Sequence, residues 1–347
     1  MNVFFRVDGN SKIGWGHLKR CLTLANEFKK KNSECFFLSH GLAETFIEEL
    51  KSNSFKYISL PAFKSEIDDA TNVLEVLNNI NLPLSNIKLV LDHYQLNTEW
   101  EKLISPHFPL ITISDKPERT YFANYILNPG PAWKSADYGN FFHKKETKCF
   151  SGIDYLLVDE TYRNKIISAK EKKLTNSKLE NILISFGAAD KHNMTSMVIH
   201  AAEEIFPLCK LHIVSPKSAQ HHDLIVATWS KRSQIVIYDS LQDLSELSLN
   251  CDLAAGAGGV SMLERCTLGM PSIIIQTAEN QNQNIKFLQQ LDCISYIGTA
   301  KEVTAESIQN EMRSFLSEAK RHQMSQNAFK LFSKNKLSEM ILEISKD

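Results

Sequence analysis

Apolar residues along this chain follow two alternating rhythms. Short unbroken runs, such as F-F-R-V at residues 4–7, are followed by longer stretches in which apolar positions recur every three or four residues. After that first run Leu18, Cys21, Leu22, Leu24, Ala25 and Phe28 keep the longer spacing, which predicts a helix over about residues 17–30. Runs at 35–38, 57–60, 73–77, 87–91 and 110–113 continue the alternation, with a helical stretch at 43–50 and a further short run at 125–127. From residue 181 the pattern restarts, as N-I-L-I-S-F-G-A-A-D breaks at Gly187. Segments at 194–205, 211–214, 234–238, 244–249, 253–255, 260–268, 272–275 and 284–291 complete a second series.

Strands separated by helices of this length imply right-handed crossovers and mainly parallel sheets. The polar stretch K-I-I-S-A-K-E-K-K-L-T-N-S-K reads as a linker over 165–178. The expected fold is therefore α/β, with two doubly wound Rossmann-like domains at 1–165 and 166–347 and an interdomain cleft. Helical spacing continues beyond residue 304, at Ile308, Met312, Phe315 and Leu316 and then at Phe329, Leu331, Phe332, Leu337 and Ile341, and places this tail as a cap on the second domain.

Length supports the division, because a single core stops growing efficiently below the 347 residues present. A net charge of −1 lacks the basic excess of a nucleic-acid binder. Arg6 and Asp8 interrupt or border the first apolar run, so the start lacks the apolar core of a secretory signal. No stretch approaches the ~18 apolar residues of a membrane span. A cytoplasmic monomer with no membrane or nucleic-acid partner is expected. The seven cysteines are odd in number, scattered and never in C-x-x-C spacing, which argues against a disulfide framework and a zinc site.

Three stretches carry candidate chemistry. In I-G-W-G-H-L-K-R (13–20), Gly14 and Gly16 sit where a strand hands over to a helix. Glycines there bring backbone close to a ligand, and the helix start offers free N–H groups. His17 at a positive helix end tends toward the neutral, proton-accepting form and makes a plausible general base. A glycine turn with an incidental histidine remains the other reading, since the full G-x-G-x-x-G pattern is absent. In L-V-L-D-H-Y (89–94), Asp92, His93 and Tyr94 stand at the carboxyl end of a strand, where ligands gather in open α/β sheets. Asp92 either orients His17 or a water, or caps the next helix.

The third stretch, A-A-G-A-G-G-V-S-M-L-E-R-C-T-L-G-M-P-S-I-I-I (254–275), runs from strand through glycines to a helix and back to a strand. A diphosphate fits the helix start at Gly258, Gly259 and Ser261, with Glu264 one turn on to accept from ribose hydroxyls. Asn280 and Gln281, in the amide-rich loop that follows, are second-tier ligand candidates. No metal site emerges: His221-His222-Asp223 is the densest cluster, and its polar setting suggests solvent exposure. Serine-hydrolase, P-loop and zincin motifs are absent.

Together these residues resemble the UDP-2,4-diacetamido-2,4,6-trideoxy-β-L-altropyranose hydrolases of pseudaminic acid biosynthesis, which have the two-domain GT-B fold of certain glycosyltransferases. The matching pieces are F-F-R-V-D-G-N-S-K-I-G-W-G-H-L-K-R-C-L-T-L-A (4–25), L-V-L-D-H-Y (89–94), D-Y-G-N-F-F (137–142), S-F-G-A-A-D (185–190), the glycine-rich stretch 254–271 and A-E-N-Q (278–281). The resemblance implies that His17 is the catalytic base, that the second domain holds UDP with Glu264 on its ribose, and that Gly14, Gly16, Arg20 and Gly187 border the substrate. Family members often carry an arginine after a G-x-x-Y-x-L-L segment, whereas G-I-D-Y-L-L-V-D-E (152–160) puts Asp159 there; the contact is then lost or passed to Arg163.

The implied reaction is attack of a water on the anomeric carbon, with C–O cleavage, inversion and expulsion of UDP, supported by Asp92 or Tyr94. N–H groups at 258–261 would hold the developing charge without a metal or other cofactor. A GT-B glycosyltransferase with a UDP-sugar donor and a non-catalytic nucleotide-sugar binding protein are the alternatives.

Overall fold

The computed structural model describes residues 1–9, 16–187, 190–239 and 243–346. It divides into two compact units, one formed by Met1–Leu157 with Asn335–Asp347, the other by Val158–Lys334.

The first unit is built on seven parallel strands: β1 (Asn2–Val7), β2 (Glu34–Ser39), β3 (Lys56–Ser59), β4 (Ile87–Asp92), β5 (Leu110–Ile113), β6 (Tyr125–Asn128) and β7 (Lys148–Ser151). Their order in the sheet is β3-β2-β1-β4-β5-β6-β7. Side chains of β1 alternate between two cores, as a strand's two-residue period requires. Val3, Phe5 and Val7 pack with the helix Gly16–Lys29, while Phe4 packs with Val73, Leu77 and Trp100 on the other face. Phe4 stacks on Phe36 and Phe5 on Phe37, with ring centroids 4.4 and 4.9 Å apart. Helices thus cover both faces, and the apolar run 73–77 lies inside the helix Glu66–Asn79.

The second unit carries six parallel strands: β8 (Asn181–Ser185), β9 (Lys210–Val214), β10 (Ile235–Tyr238), β11 (Leu253–Ala257), β12 (Ser272–Gln276) and β13 (Ser295–Thr299). Their order is β10-β9-β8-β11-β12-β13. In each sheet the strand order reverses at one place, between β1 and β4 in the first and between β8 and β11 in the second. Such reversals open a crevice beyond the carboxyl ends of the strands, the usual position of a ligand in open α/β sheets.

Three sequence expectations change. The stretch expected as a linker contains the helix Ile166–Thr175, which belongs to the second unit. Lys173 on that helix is buried, and its ammonium donates to the carbonyls of Ser248, Leu249 and Cys251 at the end of the helix Ser245–Asn250. A charged residue that fills an internal cap looks like linker composition when only the sequence is read. The expected boundary at 165 is replaced by one between Leu157 and Val158. The tail is also shared out: the helices Ala305–Ser314 and Glu318–Leu331 stay with the second unit, but Leu337–Ile344 packs Leu337, Met340, Ile341 and Ile344 into the core around the helix Gly16–Lys29.

Candidate active site

The helix Gly16–Lys29 starts shortly after β1, and β4 ends at Asp92, whose register partner on β1 is Val7. Two neighbouring strand ends and a helix start therefore lie close together. His17 lies in the first turn of the helix and Arg20 one turn further on, so both side chains share a face above the sheet. His17 Nδ1 is 2.5 Å from Asp92 Oδ1. Arg20 donates from Nη2 to the same oxygen at 2.5 Å and from Nε to Asp92 Oδ2 at 2.6 Å, while Nη1 donates to Asp115 Oδ1 at 2.6 Å. Tyr94 donates its hydroxyl to Asp115 Oδ2 at 2.8 Å, and its ring meets His17 edge to face with centroids 4.3 Å apart.

Electrostatics fix the roles in this cluster. Burial pushes the Asp92 carboxyl up, but Arg20 and His17 outweigh it and hold the group well below the ordinary carboxylate range. Asp92 is then an acceptor with no proton to give, so the proton in the 2.5 Å contact belongs to His17 Nδ1. Arg20 Nη2, 3.2 Å from His17 Nδ1, is a second donor converging on the same oxygen rather than a bond to the ring. With Nδ1 donating to Asp92, Nε2 is the ring nitrogen left to accept. The arrangement is a carboxylate-oriented imidazole, a device that fixes tautomer and ring position for general-base work.

A second buried network braces the same strand ends. Arg6 on β1 lies between Asp8 at 2.5 Å and Asp69 at 2.6 Å, and Trp100 Nε1 donates to Asp69 at 2.8 Å. Asp8 also accepts from Ser39 Oγ, the His40 backbone N–H and His93 Nε2, at 3.0, 2.7 and 3.1 Å. These bonds tie the ends of β1, β2 and β4 together beside the His17 cluster. His93 Nδ1 in turn accepts from the Gln95 backbone N–H at 3.1 Å, which fixes the turn that carries Tyr94.

At the reversal in the second unit, β11 runs into Gly258 and Gly259, and Gly259 caps the helix Val260–Thr267. A Cβ on Gly256 would stand 2.2 Å from the Ser185 carbonyl, and one on Gly258 would stand 2.4 Å from Ile285 Cδ1. Close backbone packing therefore demands glycine at 256, whereas at 258 the neighbour is the Ile285 side chain. Ser261 is partly accessible in the first turn, and Glu264 is buried on the following one. Gly187 follows β8 at a φ of 78° with open space around it, and Asp190 caps the helix Met194–Ile205 through the N–H groups of Met194 and Thr195.

Sequence-derived candidates sort as follows. His17, Asp92 and Tyr94 come together, and Arg20 joins them with its guanidinium committed to Asp92 and Asp115, so its geometry is that of a support and not of an open substrate contact. Gly14 lies outside the described residues; Gly16 is exposed at the helix start. Gly258, Gly259, Ser261 and Glu264 share one turn and helix, whereas Gln281 turns its amide back to the Thr277 backbone N–H at 2.9 Å and holds its own loop. Asn280 is exposed on that loop. Asp159 accepts from Thr161 N at 2.8 Å as the cap of the helix Glu160–Arg163, a structural duty for the residue at the arginine position. His222, expected in solvent, is buried, with Nδ1 2.7 Å from the Ser215 carbonyl. Asp115 is the site residue that sequence reasoning missed. Its one signal is an acid two positions beyond the end of β5, much as Asp92 ends β4.

No protein-family model matches the chain. An uncharacterized protein of Methanocaldococcus jannaschii is 26% identical over 294 residues, 82% of this chain and 57% of that protein. The UDP-2,4-diacetamido-2,4,6-trideoxy-beta-L-altropyranose hydrolase of Campylobacter jejuni is 26% identical over 200 residues, 57% of this chain and 64% of the hydrolase. The chain thus spans less than two thirds of these two relatives. The spore coat polysaccharide biosynthesis protein SpsG of Bacillus subtilis is 21% identical over 91% of this chain and 89% of its own length. Among solved structures, MurG of Acinetobacter baumannii superposes with a TM-score of 0.66 at 13% identity, covering 99% of each chain. The UDP-GlcNAc 2-epimerase of Neisseria meningitidis, bound to UDP-GlcNAc, gives 0.63 at 12% identity over 100% of both chains. The fold is the two-domain, Rossmann-like GT-B fold.

Proposed function

We propose that this chain hydrolyses a nucleotide sugar, releasing UDP from UDP-2,4-diacetamido-2,4,6-trideoxy-β-L-altropyranose in pseudaminic acid biosynthesis. The observation that carries the reading is the 2.5 Å contact between His17 Nδ1 and an ionised Asp92. It equips Nε2 to take a proton from a water as that water attacks the anomeric carbon. The bond between that carbon and the phosphate oxygen breaks, its electron pair leaves with UDP, and attack from the opposite face inverts the centre. UDP departs as a stabilised anion, so the step makes little demand on a general acid.

Within the cluster Arg20 holds Asp92 in its ionised state and Tyr94 buttresses the imidazole. The Gly258–Ser261 turn is the proposed seat of the diphosphate, with Gly187 bordering it, and Glu264 accepts from the ribose. Asn280 is retained as a sugar contact, and Gly14 and Gly16 as substrate contacts. The reading needs no metal or other cofactor and fits a cytoplasmic monomer. The named hydrolase from Campylobacter jejuni supports the substrate class.

The likeness in fold to MurG and to the epimerase favours one competitor, transfer of the sugar to an acceptor hydroxyl whose proton the same base would take. Proton NMR of UDP-sugars incubated with the protein in water separates the two. Hydrolysis predicts UDP and a free sugar of inverted anomeric configuration without any acceptor. No turnover across the panel until an acceptor is supplied would overturn hydrolysis in favour of transfer.

A further inference from the structure

Among the described residues Arg6, Arg20, Lys173, Arg265 and Arg321 are buried cations, and Arg265 is provided for differently from the other four. Arg6 and Arg20 each bind two carboxylates. Lys173 donates to three backbone carbonyls, and so does Arg321, to Phe315, Leu316 and Ser177. Arg265 is 2% exposed, yet its single hydrogen bond among the described residues runs from Nη2 to the Ala257 carbonyl at 3.0 Å. Its Nε is buried with no partner. A guanidinium presents five N–H donors and keeps its charge, so a buried one with a single acceptor is strongly under-satisfied.

Position gives this deficit a meaning. Arg265 stands on the helix Val260–Thr267, and its side chain folds back against the end of β11: Nη2 meets Ala257, and Nη1 is 3.2 Å from where a Gly256 Cβ would be. Gly256 to Gly259 form the turn into that helix, so the cation lies under the helix start at the point where the strand order reverses. Burial pushes the guanidinium below its ordinary value.

We propose that Arg265 is the fixed cation of an anion site at the Ala257–Ser261 turn, completing its unspent charge on the phosphate groups of a nucleoside diphosphate. The inference rests on the proposed binding of UDP by the second unit and adds a residue to it. Glycines keep the turn thin, so a charge beneath it acts on a ligand above it across low-dielectric protein, and the free N–H groups of the helix start add to the attraction. The strain of an uncompensated cation is then retained in the empty protein for the benefit of the bound state.

Calorimetric titration of the full chain and of Arg265→Met with UDP, uridine and inorganic pyrophosphate, with thermal melting of the free proteins, tests this. The expected result is a loss of about 10–100-fold in UDP affinity in Arg265→Met, with pyrophosphate binding lost in parallel and uridine affinity within about twofold of wild type. The free variant should melt at or above the wild-type temperature, because it no longer buries an unmatched charge. Arg265→Lys, which keeps the charge, should retain more UDP affinity than the methionine variant. Unchanged UDP affinity, equal losses for UDP and uridine, a lysine variant no better than methionine, or a methionine variant that melts lower or fails to fold would each overturn the proposal and leave Arg265 as a cap for the Ala257 carbonyl. If wild type binds pyrophosphate through Arg265 but binds neither UDP nor uridine, the anion site stands and the uridine-nucleotide reading falls. If wild type binds none of the three probes, both fall.

Discussion

His17 Nδ1 and Asp92 Oδ1 stand 2.5 Å apart at the ends of two neighbouring elements, a helix start and a strand end, 75 positions apart in sequence. The helix alone would leave the imidazole free to turn, and the strand alone would leave a buried carboxylate without a neutralising partner. Each residue supplies what the other's position lacks, and Arg20 secures the pair by binding both oxygens of Asp92.

Replacing the base is the direct test of its role. His17→Ala should lose about 10²–10⁴-fold in kcat on the UDP-sugar while UDP still binds. Near-normal turnover measured by UDP release would remove His17 from the mechanism.

Asp92→Asn keeps the shape of the side chain and removes its charge, so the imidazole is no longer held in the Nδ1–H form. A loss of about 10²-fold or more in kcat with little change in KM is expected, since the defect lies in orienting the base and not in holding substrate. A raised KM at unchanged kcat would point instead to direct substrate contact.

The same carboxylate predicts an acid limit to stability. Asp92 has an ordinary value of 3.8 and is held well below it in the folded state. As pH falls through about 4 the unfolded chain takes up the proton before the native one does, so stability present above that pH is lost on further acidification. Urea midpoints compared at about pH 6 and pH 3 should fall further for wild type than for Asp92→Asn. Equal falls would mean that Asp92 is not a source of the acid sensitivity.

Tyr94→Phe keeps the edge-to-face ring and deletes the bond to Asp115. A drop in kcat of about tenfold, with the fold intact by circular dichroism, is expected from the loss of one charge-assisted hydrogen bond near the base. An effect as large as that of His17→Ala would promote the hydroxyl to a direct chemical role.

In the second unit, Glu264→Ala should raise the inhibition constant of UDP by about 10–100-fold and leave thymidine diphosphate, which lacks the ribose 2′-hydroxyl, less affected. Equal sensitivity of the two nucleotides would count against the ribose assignment.

How far these features could be read in advance depended on whether the cause was local. The helix after residue 16 and the strand ending at Asp92 follow from apolar spacing and from the polar residues that interrupt it, which are properties of neighbouring positions. The short strands β7 and β13 escaped notice because K-C-F-S and S-Y-I-G-T have too few apolar residues to stand out, and their pairing with β6 and β12 supplies the rest. Asp115 was hidden for a related reason: in S-D-K-P it looks like any turn acid, and the guanidinium of Arg20, 95 positions earlier, and the hydroxyl of Tyr94 give it a function. Arg265 was visible as a helix arginine, but the want of a partner for its Nε is a property of the folded surroundings alone.

The return of the helix Leu337–Ile344 to the first unit sets the order in which the protein can mature. Leu337, Met340, Ile341 and Ile344, which seal the core beside the His17 helix, follow the whole of Val158–Lys334 in the sequence and are therefore made after it. The unit that opens the sequence thus cannot close its core until every residue of the other unit has been synthesised, and the His17 helix waits for a packing partner more than 300 positions away.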